Sequence, residues 1–575
     1  MTSEDYYCND CLQRLLTLKA ASRLGAADPS LFGLYPDIQE QAASRLGWVH
    51  LASDPPFSAK EITSLAQDIR SEGLDAVVLI GQGGSSQASM TITKLHEVAA
   101  GNHQAVAFRT MDSLSPVFVN HILGSSDPAR TIYIISSKSG STIEPLMLER
   151  VVWHYVAGHL GSAAAARRFV AITDPMSRLA EIAAERNYRL VLPAQAGVGG
   201  RFSALTVSTL FPAALVGIDI QAALAGAAIT EAACTIDSVD NPALQLACFL
   251  YGAYLAGRDK FSLVLPPSGQ VFGLWVEQMI AESLGKAGVG ILPNVEVDAS
   301  ILVVPHTDRC VITYAVGEVD GFAESIANID ASIPQMHATI DDPTQAFSRF
   351  VLWEYATAFL GILMGVFPFD QPDVELTKLI TQQFLTGQDE PSSEVYRQYP
   401  PLDSFVYGLR LSNALFASLQ TNGDPESPSL DQLLRVLLGS FKPGDYFSLN
   451  AFIPFRGYGR REALERMRNR VASRLNVVSC LEIGPRYLHS TGQLHKGGPD
   501  NGIYLILSSD ERDDLVIPNE NLTLGGLAAV QARADFTALA KLGRRALHVH
   551  LSDNDSETLS RFADRFCSAI SAVQV

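Results

Sequence analysis

This chain is short of positive charge. Against 61 aspartates and glutamates stand 43 lysines and arginines, a formal charge of −18. That balance excludes non-specific nucleic-acid binding and docking on an anionic membrane, both of which need a basic face. It leaves room for an anionic small substrate, because a local pocket can be positive on an acidic protein. Cysteine is also sparse. The seven present are odd in number and widely scattered, so the sequence predicts reduced thiols rather than a disulfide framework. Cys8 and Cys11 form a lone C-x-x-C with no second pair and no nearby histidine, short of a zinc set. Long apolar runs are missing as well: Tyr355 to Phe369 is too short and too glycine-punctuated to cross a bilayer. Met1–Asp5 has neither the basic start nor the apolar run of a secretory signal, so the expected location is the cytoplasm. There are no heptads, tandem repeats or low-complexity tracts.

What the chain does have is apolar sequence enough for large cores. At 575 residues, 47% hydrophobic and 18% charged, the expectation is about three or four domains of ordinary size. Residues 1–60 read as a helical lead-in that ends at Pro55-Pro56. Strand–helix alternation follows over 61–235, with strands at Asp75–Ile80, Ala105–Arg109, Thr131–Ile135, Phe169–Thr173 and Tyr188–Leu192, and a helix at Gln87–Ala99. Near-continuous apolar strands separated by helices predict a parallel sheet covered on both faces. A second such unit is expected over 236–395, with strands at Phe261–Leu265 and Cys310–Val316 and helices at Phe272–Ser283 and Ser348–Val366. Gly387 and Pro391–Ser393 read as a polar linker. A third α/β unit is expected over 403–575, with strands at Gly502–Leu507 and Arg545–Leu551.

Chemistry concentrates where strands end. Ile134-Ile135-Ser136-Ser137-Lys138-Ser139-Gly140-Ser141-Thr142 runs from a buried strand into hydroxyls around one lysine and one glycine, and a helical pattern starts at Thr142. Free backbone N–H groups, hydroxyl donors and the positive end of a helix dipole suit an anion such as a phosphate monoester. The spacing is not that of a nucleotide P-loop, so a sugar phosphate fits better than ATP. Gly81-Gln82-Gly83-Gly84-Ser85-Ser86 follows the first strand; it lacks the third glycine of a dinucleotide fingerprint but allows close approach of a phosphosugar. Gln278 and Glu282 lie four apart on one face of an otherwise apolar helix, near its end. Gly199-Gly200-Arg201-Phe202-Ser203 offers a guanidinium for a developing oxyanion. Phe369–Lys378 places Gln371 and Lys378 seven apart, two turns along one helical face.

Ile80–Ser85, Ser137–Thr142, Gly199–Ser203, Gln278–Lys286 and Phe369–Lys378, in that order, resemble the signature segments of the glucose-6-phosphate isomerase family. The resemblance implies two sugar-isomerase (SIS) αβα domains with parallel sheets, to which a C-terminal α/β domain is added. Arg45-Leu46-Gly47-Trp48 and Gly484–Gly498 resemble a narrower branch, in which the isomerase is fused behind a transaldolase. Residues 1–60 are too few for that (β/α)8 barrel. Carried over, the family pattern makes Glu282 the base that moves a proton between C1 and C2 through a cis-enediol, and Arg201 the group that stabilises the enediolate. Ser137, Ser139 and Thr142, with the amide of Lys138, would hold the phosphate. Ser85 and Gln278 would touch the sugar, Gln371 the phosphate end, and Lys378 the ring oxygen. No cofactor or metal is implied. The expected partner is a sugar phosphate, with a homo-oligomer or a separate transaldolase chain as protein partners. Mannose 6-phosphate is a further substrate that a planar enediol allows. A regulator that binds sugar phosphate without turnover is the competing reading.

One family part is out of place. The ring-opening histidine ordinarily precedes the Phe-Asp-Gln segment in a glycine-containing context, which neither His306 nor His337 has. That context occurs instead at His495-Lys496-Gly497-Gly498. The expectation is therefore that the C-terminal unit supplies this histidine, His495 first and His489 second. His548 and His550 alternate on a strand near Asp553, a pair that lacks further ligands for a metal.

Overall fold

The computed structural model describes residues 8–101, 105–296, 299–317, 321–387, 394–420, 428–455 and 459–573. The expected linker at Pro391–Ser393 and the segment Met1–Asp5 lie outside them. The chain forms two compact units. The first comprises Met1–Asp112, His121–Leu284 and Ile291–Asp370, the second Ser113–Asn120, Gly285–Gly290 and Gln371–Val575.

In the first unit β1 (Ala76–Gly81), β2 (Ala107–Met111), β3 (Thr131–Ser136), β4 (Phe169–Thr173) and β5 (Leu190–Pro193) form one parallel sheet in the order β2-β1-β3-β4-β5. β1, β3 and β4 are buried throughout, which is why their sequences are unbroken β-branched and aliphatic runs. The chain leaves β1 toward β2 on one side and returns to β3 on the other. The crevice at the carboxyl ends of β1 and β3 is thus the switch point, where such sheets take ligands. Gly81 stands opposite Ser136 in register, so the two glycine- and serine-rich turns leave adjacent strands.

The first unit holds a second parallel sheet of β6 (Lys260–Val264), β7 (Leu292–Glu296), β8 (Arg309–Val316) and β9 (Gln335–Ile340), in the order β7-β6-β8-β9. The helix Gln270–Leu284 follows β6 and carries Gln278 and Glu282. Both sheets share one continuous apolar core, and the lead-in is part of it: Leu12, Leu15, Leu24 and Trp48 pack in the same cluster as Leu79, Ile134, Phe261 and Trp353. Gln345–Met364 is long and apolar enough to cross a membrane by length and composition, yet Phe347, Trp353 and Phe359 on it are wholly buried in this core.

The expectation of reduced thiols fails at one place. Cys8 and Cys11 are joined by a disulfide with their Cα atoms 5.2 Å apart. Cys8 is the N-cap of the helix Asn9–Thr17, and the three-residue spacing turns both sulfurs to the same side. The other five cysteines are free.

The second unit is built on a mixed sheet of β10 (Tyr396–Tyr399), β11 (Val406–Ser412), β12 (Tyr446–Phe452), β13 (Ser479–Ile483), β14 (Gly502–Ser509) and β15 (Arg545–Leu551). The order is β10-β11-β15-β14-β12-β13, antiparallel across β10/β11 and β11/β15 and parallel elsewhere. It has its own core, with Leu433, Phe447, Leu505, Leu547 and Phe562 at its centre.

Candidate active site

The turn after β1 is a single tight one, Gly83–Ser85, and it meets a second tight turn, Gly200–Phe202, backbone to backbone. A Cβ on residue 84 would stand 2.0 Å from the Gly200 carbonyl oxygen, so only glycine fits there. Ser203 fastens the pair by donating its hydroxyl to the Gly84 carbonyl at 3.1 Å. A small cleft, open at its mouth, lies among Ser85, Ser136, Lys138, Gly200, Ser203 and Thr206.

The loop after β3 is the one whose sequence suits an anion. Gly140 has φ +61°, a left-handed conformation, and a side chain there would collide with Ser177. Thr142 is the N-cap of the helix Ile143–Leu160, yet its hydroxyl makes no capping bond to that helix. It accepts instead from the Ser137 hydroxyl at 3.3 Å. The first N–H groups of the helix thus receive no bond from the Thr142 side chain. Lys138 does not extend its ammonium to that anion: Nζ lies 2.8 and 2.9 Å from the two carboxylate oxygens of Asp174, at the end of neighbouring β4. The lysine's charge is spent on the strand next door.

Arg201 is held from four directions. Its Nε donates to Ser283 Oγ at 2.7 Å, and Nη2 donates to the carbonyls of Pro368 and Asp370 at 2.6 and 2.9 Å. Nη1 faces Glu282 Oε1 at 3.2 Å, and the other carboxylate oxygen of Glu282 accepts from Gln278 Nε2 at 2.9 Å. Burial draws the guanidinium below the ordinary arginine range, and the Glu282 and Asp370 carboxylates oppose it. The arginine side chain is 3% exposed and the glutamate side chain 13%. The cation is fixed and sealed, while the carboxylate beside it can still be reached. A reachable base beside a rigid oxyanion stabiliser can move a proton on a carbon next to a carbonyl.

The phosphoglucose isomerase family model matches residues 61–289. Over that span the chain is similar to the phosphoglucose isomerase family. Glucose-6-phosphate isomerases of Symbiobacterium thermophilum and Alkaliphilus metalliredigens are 29% and 26% identical to it, over 56% and 58% of this chain and 82% and 85% of theirs. A hypothetical protein of Thermus thermophilus superposes with a TM-score of 0.55 at 25% identity, covering 66% of this chain and 97% of that one. A glucose-6-phosphate isomerase of Chlamydia trachomatis shares the fold, with a TM-score of 0.54 at 19% identity over 67% and 88% of the two chains.

Ser85, Ser137, Lys138, Ser139, Thr142, Arg201, Gln278 and Glu282 all fall in the span matched to the phosphoglucose isomerase domain. Gln371, Lys378, His489 and His495 belong to the second unit. Gln371 and Lys378 do not share a helical face. The helix there is Val374–Leu385, and Gln371 precedes it, because Pro372 disfavours helical backbone in the residue before it. Lys378 pairs with Glu375 at 2.6 Å on the exposed side of that helix. His548 and His550 are committed to Ser508, whose hydroxyl lies 2.8 Å from a ring nitrogen of each. Among the described residues no group of three or more His, Cys, Asp or Glu side chains is arranged to hold a metal ion. Sequence reasoning misses Asp174 and the anchors of Arg201. Asp174 has a signal, since it directly follows a strand at the ligand-binding end of the sheet. The Pro368 and Asp370 carbonyls have none, since any residue carries one.

Proposed function

We propose that this chain interconverts glucose 6-phosphate and fructose 6-phosphate through a cis-enediol, with Glu282 as the base. The Arg201–Glu282 pair carries the reading. Glu282 takes the proton from C2 of the open-chain aldose, electrons move onto the carbonyl oxygen, and Arg201 stabilises the enediolate so formed. Return of the proton to C1, with the O2 proton passing to O1, gives the ketose. Gln278 holds the carboxylate in register between the two carbons. Ser137, Ser139, Thr142 and the Lys138 amide take the phosphate, Ser85 and Gln278 the sugar hydroxyls, and Gln371 the phosphate end. The family match and the relatives' identities support the isomerase class. The test is a coupled assay in which purified protein receives fructose 6-phosphate and a dehydrogenase detects glucose 6-phosphate. Steady product formation is expected, and binding without product would leave a sugar-phosphate sensor.

Replacing Ser137 and Thr142 by alanine together should raise KM about tenfold to a hundredfold and change kcat little, because donors to a phosphate act alike in ground and transition states. Steady-state kinetics with inorganic phosphate as competitor checks this. A fall confined to kcat would move the phosphate elsewhere.

Burial supports His489 ahead of His495 as the ring-opening candidate. His495 is wholly buried, and neither of its ring nitrogens has a hydrogen-bond partner among the described residues. The rings of Tyr446, Tyr487 and Tyr504 stand 5.2–6.1 Å from it. Burial, with the charges of Lys496 and Arg544, holds its imidazole well below the ordinary histidine value, so it is neutral at pH 7. A sealed imidazole cannot exchange protons with a sugar that enters from solvent. His489, at the end of the turn Arg486–His489, is only half-buried and keeps access to solvent. We therefore assign ring opening to His489, with Lys378 assisting at the ring oxygen. His489→Ala should slow turnover of cyclic glucose 6-phosphate about a hundredfold, the typical weight of one acid–base group, and spare hydrogen exchange at C2 of an open-chain analogue. Equal loss in both assays would remove His489 from that role.

A further inference from the structure

The lead-in motif Arg45-Leu46-Gly47-Trp48 has no part in the chemistry so far. Its tryptophan is 2% exposed and lies in the middle of the aromatic cluster behind the Arg201 turn. The Trp48 ring is 5.0 Å from that of Phe202, the residue after Arg201. It is 6.3 Å from that of Phe369, the residue between the two carbonyls that hold Arg201 Nη2. Phe202 and Phe369 meet each other edge to face at 5.2 Å, and Tyr355 closes the far side of the indole at 5.0 Å. One residue earlier, the Gly47 amide donates to the Gly197 carbonyl at 3.0 Å, which ties the lead-in to the loop running into Gly199–Arg201. The indole N–H has no hydrogen-bond partner among the described residues. What this site uses is therefore the plane and volume of the ring.

We propose that Trp48 is a positioning residue for Arg201: its ring fixes Phe202 and Phe369, and through them the turn that carries the guanidinium and the carbonyls that aim it. The argument is geometric. Arg201 sits on a three-residue turn, too short to be rigid by itself, and two of its four anchors are carbonyls on a different segment. Those two segments touch through Phe202 and Phe369, and Trp48 packs on both rings. Removing the indole frees the segments to shift relative to each other. A guanidinium displaced by a fraction of an ångström still binds Glu282 but no longer meets the charge where it develops. This role rests on the reading of Arg201 as the enediolate stabiliser.

Two measurements test it. In the first, Trp48→Ala is made alone and in an Arg201→Lys background. Trp48→Ala alone should lower kcat about tenfold to a hundredfold with KM within about threefold, the size of effect a small misplacement has. In the Arg201→Lys background the further loss should be under about threefold, because the group being positioned is already gone. Trp48→Phe, which keeps a ring and loses only an unpartnered N–H, should restore kcat to within about threefold of wild type. Losses that multiply across the two sites would overturn the proposal, as would full activity in Trp48→Ala. If Trp48→Ala does not accumulate as folded protein, Trp48→Leu takes its place in the cycle. The second measurement needs no turnover. Hydrogen exchange at Arg201 Nε–H, followed by NMR on arginine-labelled protein, should be at least about tenfold faster in Trp48→Ala than in wild type. Unchanged protection there overturns the positioning role. Faster exchange in a protein inactive on fructose 6-phosphate upholds the positioning and places the failure in the functional reading.

Discussion

Replacing Glu282 by glutamine is expected to lower kcat by about a thousandfold or more while substrate still binds, the scale at which loss of a positioned general base is felt. The amide keeps the length and planarity of the side chain, so the contact from Gln278 has an acceptor to reach. It removes the lone pair that would take the C2 proton. Arg201 loses one counter-charge but keeps its bonds to Ser283, Pro368 and Asp370, so the cost in stability is about 1–3 kcal/mol rather than that of a stranded ion. The check is a rate measurement on folded variant together with an affinity for inorganic phosphate, which should stay at the wild-type value. Near-native turnover would take the base away from Glu282.

Arg201→Lys should follow, with a fall in kcat of about a hundredfold to a thousandfold, as for removal of one oxyanion donor. Lysine keeps the charge and loses the fork. One ammonium cannot serve Ser283, the two carbonyls and Glu282 at once, because the native contacts fan out from three different nitrogens. The damage should therefore appear in kcat before KM. A uniform rise in KM with kcat intact would make Arg201 a ground-state binding group instead.

The parallel sheets are legible in the sequence because their strands are buried on both faces. Phe169–Thr173 and Arg545–Leu551 match their expected bounds to the residue, and the helix Gln87–Ala99 likewise. β7 is not legible, since Pro293, Asn294 and Glu296 break the apolar run. In the second unit only β14 and β15 stand out. β12 is buried from end to end, but Ser448 and Asn450 interrupt it, and the two pair with each other inside the sheet. β10 is a four-residue edge strand, Tyr-Arg-Gln-Tyr, with too little pattern to register. At the candidate site, the compact motifs lead to Arg201, Gln278 and Glu282, the first two within hydrogen-bond reach of the third. The burial that favours His489 over His495 in our proposal has no mark in the sequence. His495 is enclosed by the rings of Tyr446, Tyr487 and Tyr504, distant in sequence from the glycines that single it out.

The pairing of Lys138 with Asp174 has a kinetic side. With its ammonium 2.8 Å from a carboxylate, the loop that we propose takes the phosphate would meet an anion as an array of oriented dipoles with almost no net charge. The whole chain carries −18, so at long range its net charge opposes a doubly charged sugar phosphate. Capture then depends on contacts that act only within a few ångströms. Long-range attraction, which in other enzymes speeds encounter and fades as salt is added, has no source in this loop. Added salt eases the approach here by screening the repulsion, and discrimination among anions is left to the geometry of the donors.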